Sequence, residues 1–369
     1  MRKPWLALGC CAALALGVAA CGSNDTNPSS GAGGGGSGQK AGGTINGAGA
    51  TFPAPVYSEW AARFKEAQGT TVNYQAIGSG GGIAQLTAGT VDFGASDAPM
   101  TDEEMQAAAK KGTPVHIPTV LGAVTVAYNV DGVGKGLKLD GATTADIFLG
   151  KIRKWNDPKI ASLNSGVKLP AEDITVCHRS DESGTTKNFT EFLADYSPAW
   201  QNGPGTDKTV KWPTGTGAKG NDGVAACVKQ TGGSVGYVEQ AYALQNTFTT
   251  AAVKNADGRF VQPTLQATSD AGQGAKPPAD LRFSTINAPG AGTYPISAVT
   301  FLLVYKDMCK AGVAPNTARA VDGWLDYALG AGQQVAPQLQ YAPLPEAIKA
   351  KAKAKVAGLQ CDGKPLTAA

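Results

Sequence analysis

Thr44-Ile45-Asn46, followed by Gly47-Ala48-Gly49-Ala50-Thr51-Phe52, opens the part of the chain that can build a core. The period then changes: Val56, Tyr57, Trp60, Phe64 and Ala67 recur at three- and four-residue steps and Gly69 stops them, which predicts a strand leading into a helix. Val72 and Tyr74 alternate as a second strand, and Gly78-Ser79-Gly80-Gly81-Gly82 reads as a turn into a helix beginning at Ile83. Residues 91–95 read as a third strand, ending in Ser96-Asp97-Ala98-Pro99. Thr101 and Glu104 have the spacing of a capping box for a helix through Lys110. Strand and helix alternate three times, the pattern of a mainly parallel, doubly wound sheet.

The alternation returns further along. Residues 174–178, 234–238 and 296–305 read as strands, and residues 185–196, 221–229, 314–329 and 344–357 as helices, the last stopped by Gly358. The expected fold class is therefore α/β, with two doubly wound lobes.

The residues before Thr44 read as an address. Met1-Arg2-Lys3 is a positive start, residues 5–20 are apolar but short for a membrane span, and Val18-Ala19-Ala20-Cys21 looks like a bacterial lipobox. Residues 1–21 are expected to be a lipoprotein signal peptide, with Cys21 lipidated after cleavage. Residues 22–43 are built almost wholly of Gly, Ser, Asn, Thr and Ala and read as a flexible tether, with a span of about 25 Å for a Gly-rich coil of this length.

Loss of Arg2 and Lys3 with the leader lowers the formal charge from +3 to +1. That near-balance argues against a nucleic-acid binder, which needs a basic field; an anionic ligand must be read locally. Four cysteines remain, Cys177, Cys227, Cys309 and Cys361. An even number in an exported chain points to two disulfides, with three possible connectivities. No CxxC pair occurs and the chain has two histidines, so no metal site is expected.

Four short segments share one placement, between the end of a strand and the start of a helix: Thr51-Phe52, Gly78-Ser79, Asp97, and Arg179-Ser180-Asp181-Glu182-Ser183-Gly184-Thr185. Ligands of open α/β sheets bind at such corners, where helix N-termini offer unpaired N–H groups and the positive end of a dipole. Each segment alone is an ordinary cap or turn; together they bring hydroxyls, glycines, one arginine and one carboxylate to the same side of the sheet.

The sequences Gly47-Ala48-Gly49-Ala50-Thr51-Phe52-Pro53-Ala54-Pro55-Val56-Tyr57, Ile77-Gly78-Ser79-Gly80-Gly81-Gly82 and Val91-Asp92-Phe93-Gly94-Ala95-Ser96-Asp97-Ala98-Pro99 resemble signature segments of the PstS family, the phosphate-binding receptors of the Pst ABC importer. Leu149-Gly150-Lys151-Ile152-Arg153-Lys154-Trp155, Val210-Lys211-Trp212-Pro213, Gly220-Asn221-Asp222-Gly223 and Gly236-Tyr237-Val238-Glu239 extend the similarity over nearly everything after the tether. The resemblance implies a periplasmic-binding-protein-like fold that closes on inorganic phosphate, with contacts from Thr51, Phe52 (through its backbone N–H), Ser79, Asp97, Arg179, Ser183, Gly184 and Thr185, and with Asp181 orienting the arginine. Glu182 departs from the family pattern, standing where a small residue is common.

By the same resemblance, lobe 1 joins residues 44–126 to residues 302–369, and lobe 2 is residues 127–301. Crossings are then expected near 126–129 and 301–304. A disulfide between lobes would lock the hinge, so the expected pairs are Cys177–Cys227 within lobe 2 and Cys309–Cys361 within lobe 1. The family also implies an extracytoplasmic monomer on a lipid anchor, with the permease subunits of a phosphate ABC importer as partners and with no cofactor and no catalytic residues.

Two other readings compete. A hydrolase of phosphate esters would need a base, and His178 beside Arg179 is the one candidate; there is no GxSxG, and Gly215-Thr216-Gly217-Ala218-Lys219-Gly220 lacks the GxxxxGK[ST] of a nucleotide loop. A receptor for another oxyanion is opposed by Asp97. A carboxylate facing an anion is tolerated only when the ligand brings a proton, as phosphate does near neutral pH and sulfate does not.

Overall fold

The computed structural model describes residues 43–366. The leader, Cys21 and the tether through residue 42 lie outside the described residues. The described residues form one compact unit, and no described helix is long and apolar enough to cross a membrane.

The principal elements of the first part are β1 (Thr44–Gly49), α1 (Ala54–Gln68), β2 (Thr71–Ala76), α2 (Ser79–Ala88), β3 (Phe93–Ser96), α3 (Asp102–Ala108) and β4 (Pro114–Asn129). There follow β5 (Thr175–Arg179), α4 (Gly184–Tyr196), β6 (Thr216–Ala218), α5 (Gly220–Gln230), β7 (Ser234–Glu239), β8 (Ser297–Tyr305), α6 (Pro315–Leu329) and α7 (Glu346–Ala357). The main sheet runs in the order β2-β1-β3-β8-β4-β7-β5-β6. Its two ends are parallel, β2-β1-β3 on one side and β7-β5-β6 on the other. The middle is antiparallel, because β8 pairs with both β3 and β4, and β4 pairs with β7.

This middle is what the alternation of strand and helix did not predict. β4 is 16 residues long and changes partner along its length. From Pro114 to Ala123 it pairs with β8, and from Val124 to Asn129 with β7. Nearly every residue of β4 and β8 is buried. Strands covered on both faces show no polar alternation, and Pro114 and Pro118 interrupt what pattern there is.

Each end of the sheet has its own aromatic packing. Tyr57, Trp60 and Phe64 of α1 meet Trp324 of α6, with ring centroids 6.2, 6.1 and 5.6 Å away. Burying such side chains stabilises by about 1.5–3 kcal/mol each, and truncating Trp324 to alanine costs about 3–5 kcal/mol. Around β7, Tyr237 stacks on Phe189 at 4.4 Å and on Trp212 at 5.7 Å. Ala67, expected on the buried stripe of α1, is exposed. The disulfides are Cys177–Cys227 and Cys309–Cys361, as expected. Both pairs join residues about fifty apart, at separations of 50 and 52.

Three boundaries move in ways that bear on the site. β3 begins at Phe93 and runs through Ser96, so Asp97 follows it directly. α3 has the predicted capping box but ends at Ala108. α2 begins at Ser79, four residues before Ile83, so the glycine run is helix and not turn. Glycine is otherwise costly in a helix, but a Cβ on Gly82 would lie 2.5 Å from Gly49 Cα and 2.6 Å from the Ala48 carbonyl oxygen. The helix can press against β1 only without side chains there.

Candidate anion-binding site

The strand ends carrying the candidate residues meet on one side of the sheet. Thr51 follows β1, Ser79 starts α2 after β2, Asp97 follows β3, Arg179 ends β5, and Ser183 caps α4 through its Oγ, which accepts from Thr186 N at 3.0 Å. All are buried, Asp97 to 2% and Arg179 to 3% exposure.

Hydrogen bonds tie the two ends of the sheet together here. Ser79 Oγ accepts from Gly184 N at 3.0 Å and from Asp97 N at 3.2 Å. Thr51 Oγ1 accepts from Asn221 N at 3.1 Å and Asn221 Nδ2 at 2.8 Å. Asn188 Nδ2 donates to the Asp97 carbonyl oxygen at 2.7 Å. The N-termini of α2, α4 and α5 therefore converge, and each adds the positive end of its dipole to one small volume. The fit at α4 is close: a Cβ on Gly184 would lie 2.6 Å from Ser79 Oγ and 2.8 Å from Asp97 N.

Arg179 is the cation of the site. Its Nε donates to Asp181 Oδ1 at 2.8 Å and its Nη2 to Asp181 Oδ2 at 2.5 Å, a fork that leaves Nη1 3.3 Å from Thr185 Oγ1. Burial pushes the Asp181 carboxyl up, but the hydrogen bond and charge of Arg179, with a bond from Gly220 N, bring it below the usual range. The backbone beneath is set by Tyr237, whose Oη accepts from Arg179 N at 3.1 Å and shares a hydrogen with Thr186 Oγ1 at 2.6 Å.

Asp97 is the opposite case. Burial raises its pKa to about 7, against the pull of Thr300, whose Oγ1 donates to Oδ1 at 2.9 Å, of the Arg179 charge, and of Ser79. It has no ion pair among the described residues at this site, where Arg179 is already forked to Asp181. The carboxyl thus sits near its midpoint at neutral pH, able to accept from a protonated ligand oxygen.

The Thr51-Phe52 turn is clamped by two phenols. Tyr242 donates to the Thr51 carbonyl oxygen and Tyr341 lies against the Phe52 carbonyl oxygen, each at 2.6 Å. In a trans peptide the N–H opposes the C=O, so the grip of Tyr242 turns the Phe52 N–H away from Tyr242.

Sequence reasoning named the backbone and hydroxyl donors but missed Asn221, Asn188 and Thr300. Asn221 stood in a family-like segment, Gly220-Asn221-Asp222-Gly223, and Thr300 is a polar residue inside an apolar strand, which is the signal that marks it. His178, the base that a hydrolase would need, stacks its ring on Trp212 at 4.7 Å, and its Nδ1 lies 3.0 Å from the Arg179 carbonyl oxygen. His116 Nε2 accepts from Met100 N at 3.0 Å, and burial lowers its pKa to about 4. Glu182 is exposed, with its side chain lying over Gly80, where solvent screens its charge.

A mixed α/β sheet with such a site between its parallel ends is the frame of a periplasmic binding protein, and residues 35–331 match the family described as the PBP superfamily domain. Among curated relatives, the phosphate-binding protein PstS of Pasteurella multocida is 43% identical over 328 residues, covering 88% of this chain and 93% of the relative. That of Methanocaldococcus jannaschii is 37% identical, covering 81% and 82%. The fold is similar to that of a high-affinity periplasmic phosphate-binding protein solved with bound phosphate, with a TM-score of 0.67 at 21% identity over 84% of this chain and 93% of that one. It is also similar to a phosphate ABC transporter substrate-binding protein from Clostridium perfringens, with a TM-score of 0.60 at 17% identity over 82% of this chain and all of that one. The chain belongs to the PstS family.

Proposed function

We propose that the protein captures inorganic phosphate between the two ends of its sheet and delivers it to the permease of an ABC importer. The observation that carries this reading is Asp97, a buried carboxyl with a pKa near 7 placed among three helix N-termini and within electrostatic reach of Arg179. Helix dipoles and arginine favour any oxyanion; the carboxyl restricts the choice to one that retains a hydrogen. Phosphate near neutral pH retains at least one P–OH to donate to Asp97. Sulfate has none, and two acceptors would face each other in a dry site. Thr51, Ser79, Ser183 and Thr185 hydroxyls with the N–H groups of Phe52, Gly184 and Thr185 are the proposed remaining donors, and binding needs no bond making.

The proposed lobes are the two ends of the sheet with their helices, related by a hinge in the middle strands. Supporting this, β4 exchanges β8 for β7 between Ala123 and Val124, and Val124 N donates to the Ile296 carbonyl oxygen just before β8 begins. Lys208 Nζ lies 2.7 Å from Glu104 Oε1 and Arg282 Nη1 2.7 Å from Asp102 Oδ1, so ion pairs close the rim as the ligand closes the cleft. Lipidation at Cys21 and tethering outside the cytoplasm complete the proposal and suit a receptor that hands a ligand to a membrane complex.

Calorimetric titration with phosphate, arsenate and sulfate at pH 8 tests the assignment. Tight phosphate binding with no heat from sulfate is expected; sulfate binding as tight as phosphate would overturn it.

A further inference from the structure

Glu239 ends β7 and is fully buried. Its Oε2 accepts from Ala241 N at 2.8 Å and lies 2.7 Å from Tyr341 Oη, while Oε1 is buried with no hydrogen-bond partner among the described residues. Oε1 faces β4, where a Cβ on Gly122 would stand 3.3 Å from it. The charged and titratable groups around it are Tyr341, Tyr242 and Asp97, and no cation pairs with it among the described residues. An ionised carboxylate so placed would be buried, half-satisfied and within reach of a second carboxyl.

The neighbouring phenol makes the protonation state legible. Tyr341 Oη lies 2.6 Å from the Phe52 carbonyl oxygen and 2.7 Å from Glu239 Oε2, yet it has one hydrogen. A carbonyl oxygen can only accept. If the phenol donates to Phe52, the contact with Glu239 needs a hydrogen from the carboxyl. If it donates to Glu239, two oxygen lone pairs meet at the Phe52 carbonyl, between residues that are all fully buried.

The geometry points to Glu239 as a neutral positioning residue, donating from Oε2 to Tyr341, which donates to the Phe52 carbonyl oxygen and so fixes the Thr51-Phe52 turn. Burial acts in the same direction, holding the carboxyl well above the usual range despite the opposing bonds from Tyr341 and Ala241, with Asp97 adding to the rise. The relay starts on β7, in the far half of the sheet, passes through a residue near the C-terminus and ends on the turn after β1. It couples three distant segments at the point where β4 changes partner, since Val124 is the residue opposite Glu239. It also keeps a further negative charge from facing the anion.

This role rests on the phosphate reading only for its binding arm. The first measurement is infrared absorption of the full chain in heavy water at pH 8.5, where Asp97, with a pKa of about 7, and Asp322, with one of about 6, are mostly ionised. A protonated-carboxyl band is expected in the wild type and in Asp97→Asn, and its loss in Glu239→Gln. Absence of the band from the wild type and Asp97→Asn overturns the inference even if Glu239→Gln does not fold, and so does a band that survives in a folded Glu239→Gln. In the second measurement Tyr341→Phe binds phosphate about tenfold more weakly, with sulfate still rejected, and Tyr341→Phe/Glu239→Gln is no weaker than the worse single variant. Wild-type affinity in Tyr341→Phe refutes the relay. A wild type that binds no phosphate refutes the functional reading instead, and leaves the infrared result to decide the state of Glu239.

Discussion

Asp97→Asn separates two things proposed of the site, attracting an oxyanion and demanding that it carry a proton. The side chain is buried, and its Oδ1 already holds a hydrogen from Thr300. The amide preserves shape and adds two N–H donors where the carboxylate had none. A buried polar group left against a like group costs about 1–3 kcal/mol when neutral and more when charged, but protonating an Asp97 of pKa about 7 at pH 8 costs only about 1.4 kcal/mol and caps the penalty sulfate meets. The amide should therefore raise sulfate affinity at pH 8 by about tenfold. Phosphate can still donate to the amide oxygen and should lose no more than about tenfold. Competition calorimetry at pH 8 reads both constants. A second arm uses the wild type: with a pKa near 7, Asp97 is ionised at pH 8 and protonated at pH 5, where it becomes a donor. Sulfate affinity should therefore rise by about tenfold on going from pH 8 to pH 5. If Asp97→Asn rejects sulfate as the wild type does, and wild-type sulfate binding is flat with pH, selection by a required ligand proton is refuted.

The same raised pKa bears on folding. A carboxyl moved from 3.8 up to about 7 contributes stability that is fully present below the unfolded pKa and is lost as pH rises through 7, up to about 4 kcal/mol; ligand-free Asp97→Asn should lose less Tm than the wild type between pH 4 and pH 8. Gly184→Ala puts a methyl 2.6 Å from Ser79 Oγ, an overpacking worth about 1–3 kcal/mol; phosphate affinity should fall by about 5- to 150-fold, and an unchanged Kd would show that α4 does not close against α2. Lys208→Met with Glu104→Gln removes the rim pair, of which Lys208 is the more buried partner; stopped-flow release of phosphate should quicken several-fold with selectivity intact. Arg179→Lys loses the fork to Asp181, so it should weaken phosphate and sulfate alike, and binding at the wild-type level would remove Arg179 from the site.

Much of this site was legible because its chemistry sits in corners, where local signals are strong. A hydroxyl before a helix and a polar residue directly after an apolar strand are short-range patterns, and Ser79, Asp97, Ser183 and Thr185 were readable from them. The middle of the sheet was not. β4 has no alternation because both faces are covered, and its division between β8 and β7 is a long-range fact that no window of sequence contains. The early start of α2 was hidden for a related reason: Gly80 and Gly82 look like turn residues, while what requires them is the approach of Glu182 and of β1. Asn221 was missed because its partners, Thr51 and Thr185, are 170 and 36 residues away. Such a residue is recognised by what crosses to meet it.

The convergence of α2, α4 and α5 has one further consequence. Arg179 and Asp181 nearly cancel, so most of the attraction proposed for this site would come from backbone dipoles, which have no pKa and cannot be titrated away. The residues at those helix starts, Ser79, Ser183, Thr185 and Asn221, are buried, and a Debye length of about 8 Å in physiological salt matters little to charges that meet at about 3 Å in a buried cleft. A receptor facing the outside of a cell works in a medium whose salinity and acidity the cell does not control. A grip built from peptide groups would leave Asp97 as the one part of it that acidity tunes, and the exposed surface free to vary in charge with habitat.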